Sequence, residues 1–171
     1  YKSYEHAERF YRECLDTRPK AFFVRLSLAE VLKGQNKLQE SREELLRCIE
    51  LKPTDGRALF QLGMNSMALG QPDDARTWYE QAIRSDKPEA TYYINYANLI
   101  SQQGDVDKAL AAYDSAIALE SDKVTAYHNK ASALFSHYRT QEALPVVKEA
   151  LEIQPDFAPS LALLAAIEAE L

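Results

Sequence analysis

Residues 56–89 read GRALFQLGMNSMALGQPDDARTWYEQAIRSDKPE, and this stretch contains the pattern that predicts the fold. Its first half carries apolar and small residues at helical spacing: Leu59, Leu62, Gly63, Ser66 and Met67. Gly70-Gln71-Pro72 interrupts the pattern, and Pro72 suits the first turn of a new helix because an amide there would have no intrahelical partner. Helical spacing returns between Asp73 and Ile83. The stretch therefore predicts two helices joined by a tight turn.

The same design returns along the chain with a period of 34 residues, with repeats starting at Phe22, Gly56, Ala90, Val124 and Ala158. Three positions hold small residues: position 8 (Ala29, Gly63, Ala97, Ala131, Ala165), position 20 (Ala7, Ser41, Ala75, Ala109, Ala143) and position 27 (Cys14, Cys48, Ala82, Ala116, Ala150). Position 24 holds a larger apolar residue: Tyr11, Leu45, Tyr79, Tyr113 or Val147. Helices approach closely only where side chains are small, so these columns predict the contact face of each helix pair.

This pattern resembles the tetratricopeptide repeat, whose signature has small residues at positions 8, 20 and 27, a large one at 24 and proline at 32. Pro19, Pro53 and Pro155 occupy position 32, and Pro88 lies one place later. Arg25 stands at position 4, where the family usually has an aromatic residue. The resemblance implies an all-α fold, an α-solenoid of antiparallel helix-turn-helix repeats that forms a right-handed superhelix.

We expect one solenoid over residues 1–171 that is a fragment of a longer chain. Its predicted parts are the second helix of a preceding repeat (1–21), four full repeats (22–55, 56–89, 90–123 and 124–157) and an unpaired first helix (158–171). Helical repeats bury their apolar faces by stacking on their neighbours, so the first and last helices are expected to expose apolar surface.

In the resembled family, positions 2, 5, 6, 9 and 12 of the first helix line a concave groove that receives peptides. Carried over residue by residue, the resemblance implies a groove whose main residues are Phe23, Leu26, Arg57, Phe60, Gln61, Met64, Ile94, Asn95, Asn98, His128 and Asn129. Position 6 reads Ser27, Gln61, Asn95 and Asn129, and an amide side chain can donate to and accept from any peptide backbone. These amides are either a ladder that grips an extended peptide or ordinary polar residues on a solvated face.

An apolar stripe is expected beside the amides, formed by Phe23, Leu26, Phe60, Met64, Met67 and Ile94. Exposed apolar patches of this kind usually mark an interaction site. The alternative is that several of these residues pack between helices. We therefore predict a protein or peptide partner, held by its backbone at the amides and by apolar anchors near the first two repeats.

A second groove chemistry in the family, the carboxylate clamp, needs Lys at position 5, Asn at 9, Asn at 6 of the next repeat, and Lys and Arg in the third. From the third full repeat these positions read Ile94, Asn98, Asn129, Pro159 and Leu163. The two amides fit, but every cation is missing, and a terminal carboxylate needs charge-assisted hydrogen bonds. The sequence therefore argues against this clamp.

Other function classes find little support. The net charge is −6, with 9 basic and 16 acidic residues after residue 55, so the basic cluster that nucleic acid requires is missing. No apolar run reaches the length of a membrane span. His6, His128 and His137 are scattered, without metal-ligand spacing, and no nucleophile or phosphate-loop motif occurs. We predict no enzyme activity, no cofactor and no metal.

Two alternatives stay open. Helix 158–171 is rich in leucine, so the ends of the array could stack on further repeats or on a second copy, which would make the chain an assembly platform or homo-oligomer. The repeats could also be the substrate-recruiting arm of a larger enzyme. Cys14 and Cys48 are too few for a disulfide framework. The compartment stays open, with the cytoplasm as the first expectation.

Overall fold

The computed structural model describes residues 2–171, without the side chain of Lys2. Within this range the chain forms ten helices and no strand, which confirms the predicted all-α helical-repeat fold. The helices are α1 (Lys2–Thr17), α2 (Phe22–Gly34), α3 (Leu38–Leu51), α4 (Gly56–Ala68), α5 (Pro72–Ile83), α6 (Ala90–Gln102), α7 (Val106–Ala118), α8 (Lys123–Ser136), α9 (Thr140–Ile153) and α10 (Ala158–Glu170). The predicted half repeat 1–21 includes Tyr1, which lies outside the described residues.

The helices pack in sequential pairs, α2 with α3, α4 with α5, α6 with α7, and α8 with α9. The chain divides into two compact bodies, Tyr1–Pro88 and Glu89–Leu171, here called the N-terminal body and the C-terminal body. Helices α1 to α5 belong to the first and α6 to α10 to the second. The continuous solenoid over residues 1–171 stays a prediction.

Each turn between paired helices contains one residue with positive φ at position 15 of the repeat. Three of these residues are Asn36 (62°), Gly70 (72°) and Gly104 (89°), and asparagine and glycine are the residue types that tolerate this backbone conformation best. The fourth is Tyr138, with φ of 60° and a side chain that is 94% exposed. The turn geometry is thus repeated even where the residue type does not favour it.

Helix α4 begins at a side-chain cap. The Oδ1 atom of Asp55 accepts hydrogen bonds from the backbone amides of Arg57 (3.1 Å) and Ala58 (3.3 Å). Asp105 stands directly before α7, but its side chain makes no capping hydrogen bond, and its carboxylate accepts from Lys108 Nζ at 2.7 Å.

The small-residue columns form the buried contact face of the helix pairs. In the four full repeats, positions 8, 20, 24 and 27 are all buried. The closest approach is at Gly63, where a Cβ atom would lie 2.4 Å from ring carbons of Tyr79. Ser41 is accommodated in its column because its hydroxyl donates to the carbonyl of Ala29 at 2.7 Å. Burial around Cys48 raises the pKa of its thiol to about 12.

Arg25 replaces the usual aromatic residue at position 4 and has its own partners. Its guanidinium donates to the Glu44 carboxylate at 2.5 Å and to the carbonyl of Pro19, with Nε at 3.0 Å. Only 13% of the Arg25 side chain and 7% of the Glu44 side chain are exposed. Arg47 also donates to Glu44. A largely buried ion pair therefore stands at the position that an aromatic residue usually takes in this repeat.

No helix within residues 2–171 combines the length and the apolar character that crossing a bilayer would require.

Candidate functional site

A polar cleft lies on the C-terminal body between α6 and α8, with a volume of about 210 Å³. Its walls come from α6, α7, α8 and the residue that follows α8, namely Asn98, Ser101, Gln102, Tyr113, Asn129, Ser132, Ala133, Ser136 and His137. None of these side chains carries a charge when His137 is neutral. The lining contains no Lys, Arg, Asp or Glu. Every lining side chain except that of Ala133 can form hydrogen bonds, so the cleft is rich in donors and acceptors.

Internal hydrogen bonds fix part of the cleft. The hydroxyl of Tyr113 donates to Asn98 Oδ1 at 2.5 Å, which places the other amide atom of Asn98, the Nδ2 donor, away from that bond. Burial raises the pKa of Tyr113 well above its ordinary value, so this hydroxyl keeps its proton. His137 Nδ1 lies 2.8 Å from the carbonyl of Ala133, a contact that needs the proton on Nδ1 and leaves Nε2 as an acceptor in the neutral ring.

The structure places two of the predicted groove amides on one cleft of the C-terminal body. Asn98 and Asn129 come from consecutive first helices and line the same cleft. Asn95 is half-buried, and its Nδ2 donates to the carbonyl of Thr91 in its own helix at 2.9 Å. Gln61 lies half-buried on α4 of the N-terminal body. Within the described residues, no hydrogen-bond partner is present for the Asn129 amide.

Leu26 and Ile94, both at position 5 of their repeats, pack against the next repeat instead of lining the groove. Leu26 is 8% exposed and packs in one core with Ala58 and Leu62, and Ile94 is 4% exposed in the core that contains Ala126. The expectation that Leu26 and Ile94 line an exposed stripe is therefore wrong for this structure, because both fill the space between adjacent first helices.

His128, also at position 5, follows the same rule. Its Nδ1 lies 3.1 Å from the hydroxyl of the fully buried Ser160, and its ring packs edge-to-face with Phe157 at 5.6 Å between centroids. Burial lowers the pKa of His128 below its ordinary value. The side chain is thus committed to holding α10 against α8.

The remaining apolar groove residues belong to the N-terminal body. Phe23 is 57% exposed, whereas Phe60 and Met64 are half-buried. The Phe60 ring packs against Tyr79 at 5.6 Å between centroids. Met67 is 38% exposed at the end of α4. Phe23 is therefore the most accessible of the predicted anchors.

Phe23 is flanked by two cations. Lys52 Nζ lies 5.0 Å and the Arg57 guanidinium carbon 5.1 Å from the centre of its ring, within the range of cation–π attraction. Arg57 Nη2 also donates to Asp55 Oδ2 at 3.0 Å. We call Phe23, Lys52 and Arg57 the loop-edge patch, because Lys52 lies in the loop between α3 and α4 and the other two lie in the first turns of α2 and α4.

The sequence did not single out Gln102, Ser136, His137 or Lys52. Gln102 and Ser136 follow Asn98 and Ser132 by four residues and so share their helical faces, a spacing that could have identified them. Lys52 had no such signal, because its position in the repeat, position 31, holds Asp86, Glu120 and Gln154 in the other full repeats.

The described residues do not include a cluster of metal-ligating side chains. Among these residues, no group of three or more His, Cys, Asp or Glu side chains is placed to hold a metal ion. The described surface does contain the polar cleft of the C-terminal body and, on the N-terminal body, the exposed Phe23 ring beside Lys52 and Arg57.

Comparison with known proteins agrees with the helical-repeat fold. The family profile described as tetratricopeptide repeat matches residues 26–90, 60–117 and 97–156. No curated protein matches the sequence.

Among solved structures, MamA is similar with a TM-score of 0.78 and 23% identity over 87% of this chain and 87% of that one. YrrB, described as a tetratricopeptide repeat protein with an unusual peptide-binding site, has a TM-score of 0.76 and 19% identity over 94% of this chain and 83% of that one. A chain of the APC/C hetero-tetramer Cut9–Hcn1 has a TM-score of 0.76 and 18% identity over 96% of this chain and 33% of that one. At these identities the likeness shows the fold alone.

The matched ranges together span residues 26–156, which is more than half of the chain. Proteins of this family are generally scaffolds that bind other proteins or peptides. The chain belongs to the tetratricopeptide repeat family.

Proposed function

We propose that this protein-interaction scaffold binds an extended peptide segment of a partner, and that the cleft between α6 and α8 holds the peptide backbone. The observation that carries the proposal is the joint placement of Asn98 and Asn129 on one cleft of about 210 Å³. Each peptide unit offers one donor and one acceptor, and amide side chains match both.

The state of each amide supports this role. Asn98 is held in place by the hydrogen bond from Tyr113, so its Nδ2 is oriented before a ligand arrives. Asn129 has no partner within the described residues, so both its amide oxygen and its amide NH2 are available to a ligand. A preorganised donor loses little conformational entropy on binding, and a free amide loses little by exchanging water for peptide.

The absence of charge on the cleft walls supports a backbone ligand over a charged side chain. A buried carboxylate or ammonium group would need an opposite charge to offset its desolvation, and the residues that line this cleft provide none. The ligand segment that fits is therefore neutral where it crosses the cleft, with small or polar side chains.

Two similar structures agree with a binding role, although what they bind is known only for them. YrrB is described as having an unusual peptide-binding site, and the Cut9–Hcn1 hetero-tetramer is an assembly of protein chains. On the N-terminal body, Phe23, Phe60 and Met64 would offer apolar contacts to a partner.

The test is a selection of random 12-residue peptides displayed on phage against the folded chain, followed by fluorescence-anisotropy titration of the recovered peptides. Asn129→Ala should weaken binding about five- to tenfold, since a hydrogen bond is worth about 1 kcal/mol. Its circular dichroism and thermal midpoint should match the unchanged chain, because Asn129 has no internal partner.

Gln141→Ala is the matched control, because it removes an exposed amide from α9, away from the cleft. This variant should bind the recovered peptides with unchanged affinity. Equal affinity of Asn129→Ala and the unchanged chain would remove the cleft from the proposal.

A second candidate function is self-association through α10. Leu161 is 46% and Leu171 60% exposed, although α10 is among the most apolar segments of the sequence. Light scattering over a concentration series tests this, and a monomeric mass at every concentration would argue against it.

A further inference from the structure

The loop-edge patch of the N-terminal body combines an exposed aromatic ring with positive charge. Phe23 is 57% exposed, and its ring packs edge-to-face against the buried Phe22 at 5.3 Å between centroids. Lys52 Nζ lies 4.6 Å from the Phe22 ring and 5.0 Å from the Phe23 ring. The two rings and the Lys52 ammonium group therefore form one contiguous surface whose ring orientation is fixed by the core.

Lys52 is the cation of this patch whose charge is not offset by an ion pair within the described residues. Arg57 pairs with Asp55, whose other carboxylate oxygen caps α4. Burial acts to raise the pKa of Asp55, but the hydrogen bonds from Arg57 and the Ala58 amide outweigh it and lower the pKa. Arg57 is thus already paired with a carboxylate, whereas the Lys52 ammonium group is available to a ligand.

We propose that the loop-edge patch binds a segment of the partner protein in which an acidic residue neighbours a large apolar side chain. The apolar side chain would cover the exposed face of Phe23, and the carboxylate would accept a hydrogen bond from the Lys52 ammonium group. This inference rests on the proposed function, because it assigns the chemistry of the peptide that the scaffold receives.

Charge complementarity selects this occupant over the alternatives. A basic segment would be repelled by Lys52 and Arg57, and a purely apolar one would take the cations out of water without a partner. An acidic residue beside the apolar one pairs with Lys52 while the ring surface is buried. The patch also differs from the cleft of the C-terminal body, whose lining contains no Lys, Arg, Asp or Glu, so the two surfaces favour ligands of different chemistry.

The experiment compares phage-displayed random 12-residue peptides recovered on the unchanged chain with those recovered on Lys52→Glu. On the unchanged chain we expect enrichment of Asp or Glu next to Leu, Ile, Phe or Trp. Lys52→Glu should weaken these peptides about fivefold or more, because it replaces an attraction by a repulsion of similar size. Phe23→Ala should weaken them as well.

Lys87→Glu is the matched control, since it makes the same charge reversal in an exposed loop of the same body. It should leave affinity within about twofold, because Lys87 belongs neither to the loop-edge patch nor to the cleft, and an exposed charge outside the contact contributes little. Circular dichroism of each variant should show unchanged helix content, because the substituted residues are exposed.

The outcomes separate this inference from the proposed function. Peptides that lose affinity on Asn129→Ala but not on Lys52→Glu, or that show no acidic enrichment, overturn the inference and leave the proposed function standing. Peptides that respond to Lys52→Glu but not to Asn129→Ala support the patch and remove the cleft. Recovery of no peptide above the level on bare support overturns both.

Discussion

Glycine at position 63 is required by the ring that lies beside it. A Cβ atom on this residue would lie 2.4 Å from Cδ1 and Cε1 of Tyr79, and the Tyr79 ring is 3% exposed with Phe60 packed against it. The ring therefore has no free space into which it could move. The other full repeats hold alanine at this position, so the contact between a glycine at position 8 and a tyrosine ring belongs to the second full repeat alone.

We expect Gly63→Ala to lower the free energy of unfolding by about 1–3 kcal/mol, as overpacking of a core does. Urea unfolding followed by the fluorescence of Trp78, the single tryptophan, measures this in the N-terminal body. In a Tyr79→Leu background the same substitution should cost much less, since the smaller side chain leaves room for the methyl group. An equal cost in both backgrounds would show that the clash is not the cause.

Tyr138 holds a backbone conformation that its neighbours in the series give to asparagine or glycine. Its φ is 60°, and 94% of its surface is exposed, so little packing offsets the strain. We expect Tyr138→Gly to raise the free energy of unfolding by about 0.5–1 kcal/mol, the strain relieved less the entropy that glycine adds to the unfolded chain. Thermal unfolding by circular dichroism measures the change. Tyr138→Phe should have no effect, and a loss of stability on Tyr138→Gly would mean that the ring makes stabilising contacts.

At the scale of the helices, the first full repeat replaces an aromatic contact between its two helices by an ion pair. Arg25 of α2 meets Glu44 of α3, and both are largely buried. In the third full repeat the same two positions hold Tyr93 and Ala112, and Tyr93 packs against the core cluster that contains Ala112. The two solutions fill equivalent space with different chemistry, and each requires both of its members.

We expect Arg25→Met to lower the free energy of unfolding by about 2 kcal/mol, because it leaves Glu44 buried with fewer partners. Arg9→Met is the control: its pair with Glu13 spans 4.0 Å, with side chains 72% and 68% exposed, so its loss should change stability by less than about 0.5 kcal/mol. The double variant Arg25→Tyr with Glu44→Ala should recover much of the loss. Failure of the double variant to recover would show that the surrounding backbone fits only the ion pair.

At the scale of the whole molecule, the two bodies respond to acid in different pH ranges. The Glu8 carboxylate on α1 accepts from Lys37 Nζ at 2.7 Å and Arg12 Nε at 2.9 Å. The hydrogen bond from Lys37 is the main cause that lowers the pKa of Glu8 from 4.5 to about 2. This stabilisation is complete above pH 4.5 and is lost as pH falls towards 2.

His128 makes the stability of the C-terminal body depend on pH in a higher range. Its pKa lies below the ordinary 6.5 because burial disfavours the charged ring, so the unfolded state binds the proton first and stability falls as pH drops through 6.5. Hydrogen-exchange mass spectrometry should show protection of α10 decreasing from pH 7 to 5, and protection of α1 decreasing only below 4.5. His128→Gln should abolish the first response and Glu8→Gln the second. A response of both bodies in a single pH range would contradict this assignment.

The repeat could be predicted from the sequence because its core is periodic. Small residues at positions 8, 20 and 27 have one physical role, close helix approach, and the structure buries them in every full repeat. The groove lacks this redundancy. Leu26 and Ile94 share position 5 with His128, and whether such a residue faces the groove or the next repeat depends on helix rotation and side-chain size.

The contacts of the candidate site are even more local. The hydrogen bond between Tyr113 and Asn98 joins positions 24 and 9 only in the third full repeat, because no other full repeat pairs a tyrosine with an asparagine there. The position of Lys52 over Phe23 depends on a loop conformation. Such contacts occur once in the chain, and no column of the repeat predicts them.

The buried thiol of Cys48 makes the N-terminal body easy to follow by spectroscopy. A pKa of about 12 and full burial leave almost no thiolate to react with a maleimide near neutral pH, whereas Cys14 is half-buried on α1. A dye would therefore attach to one site without mutagenesis. Trp78 lies in the same body and can serve as its energy-transfer donor, so the native chain already carries an optical ruler for the docking of α1.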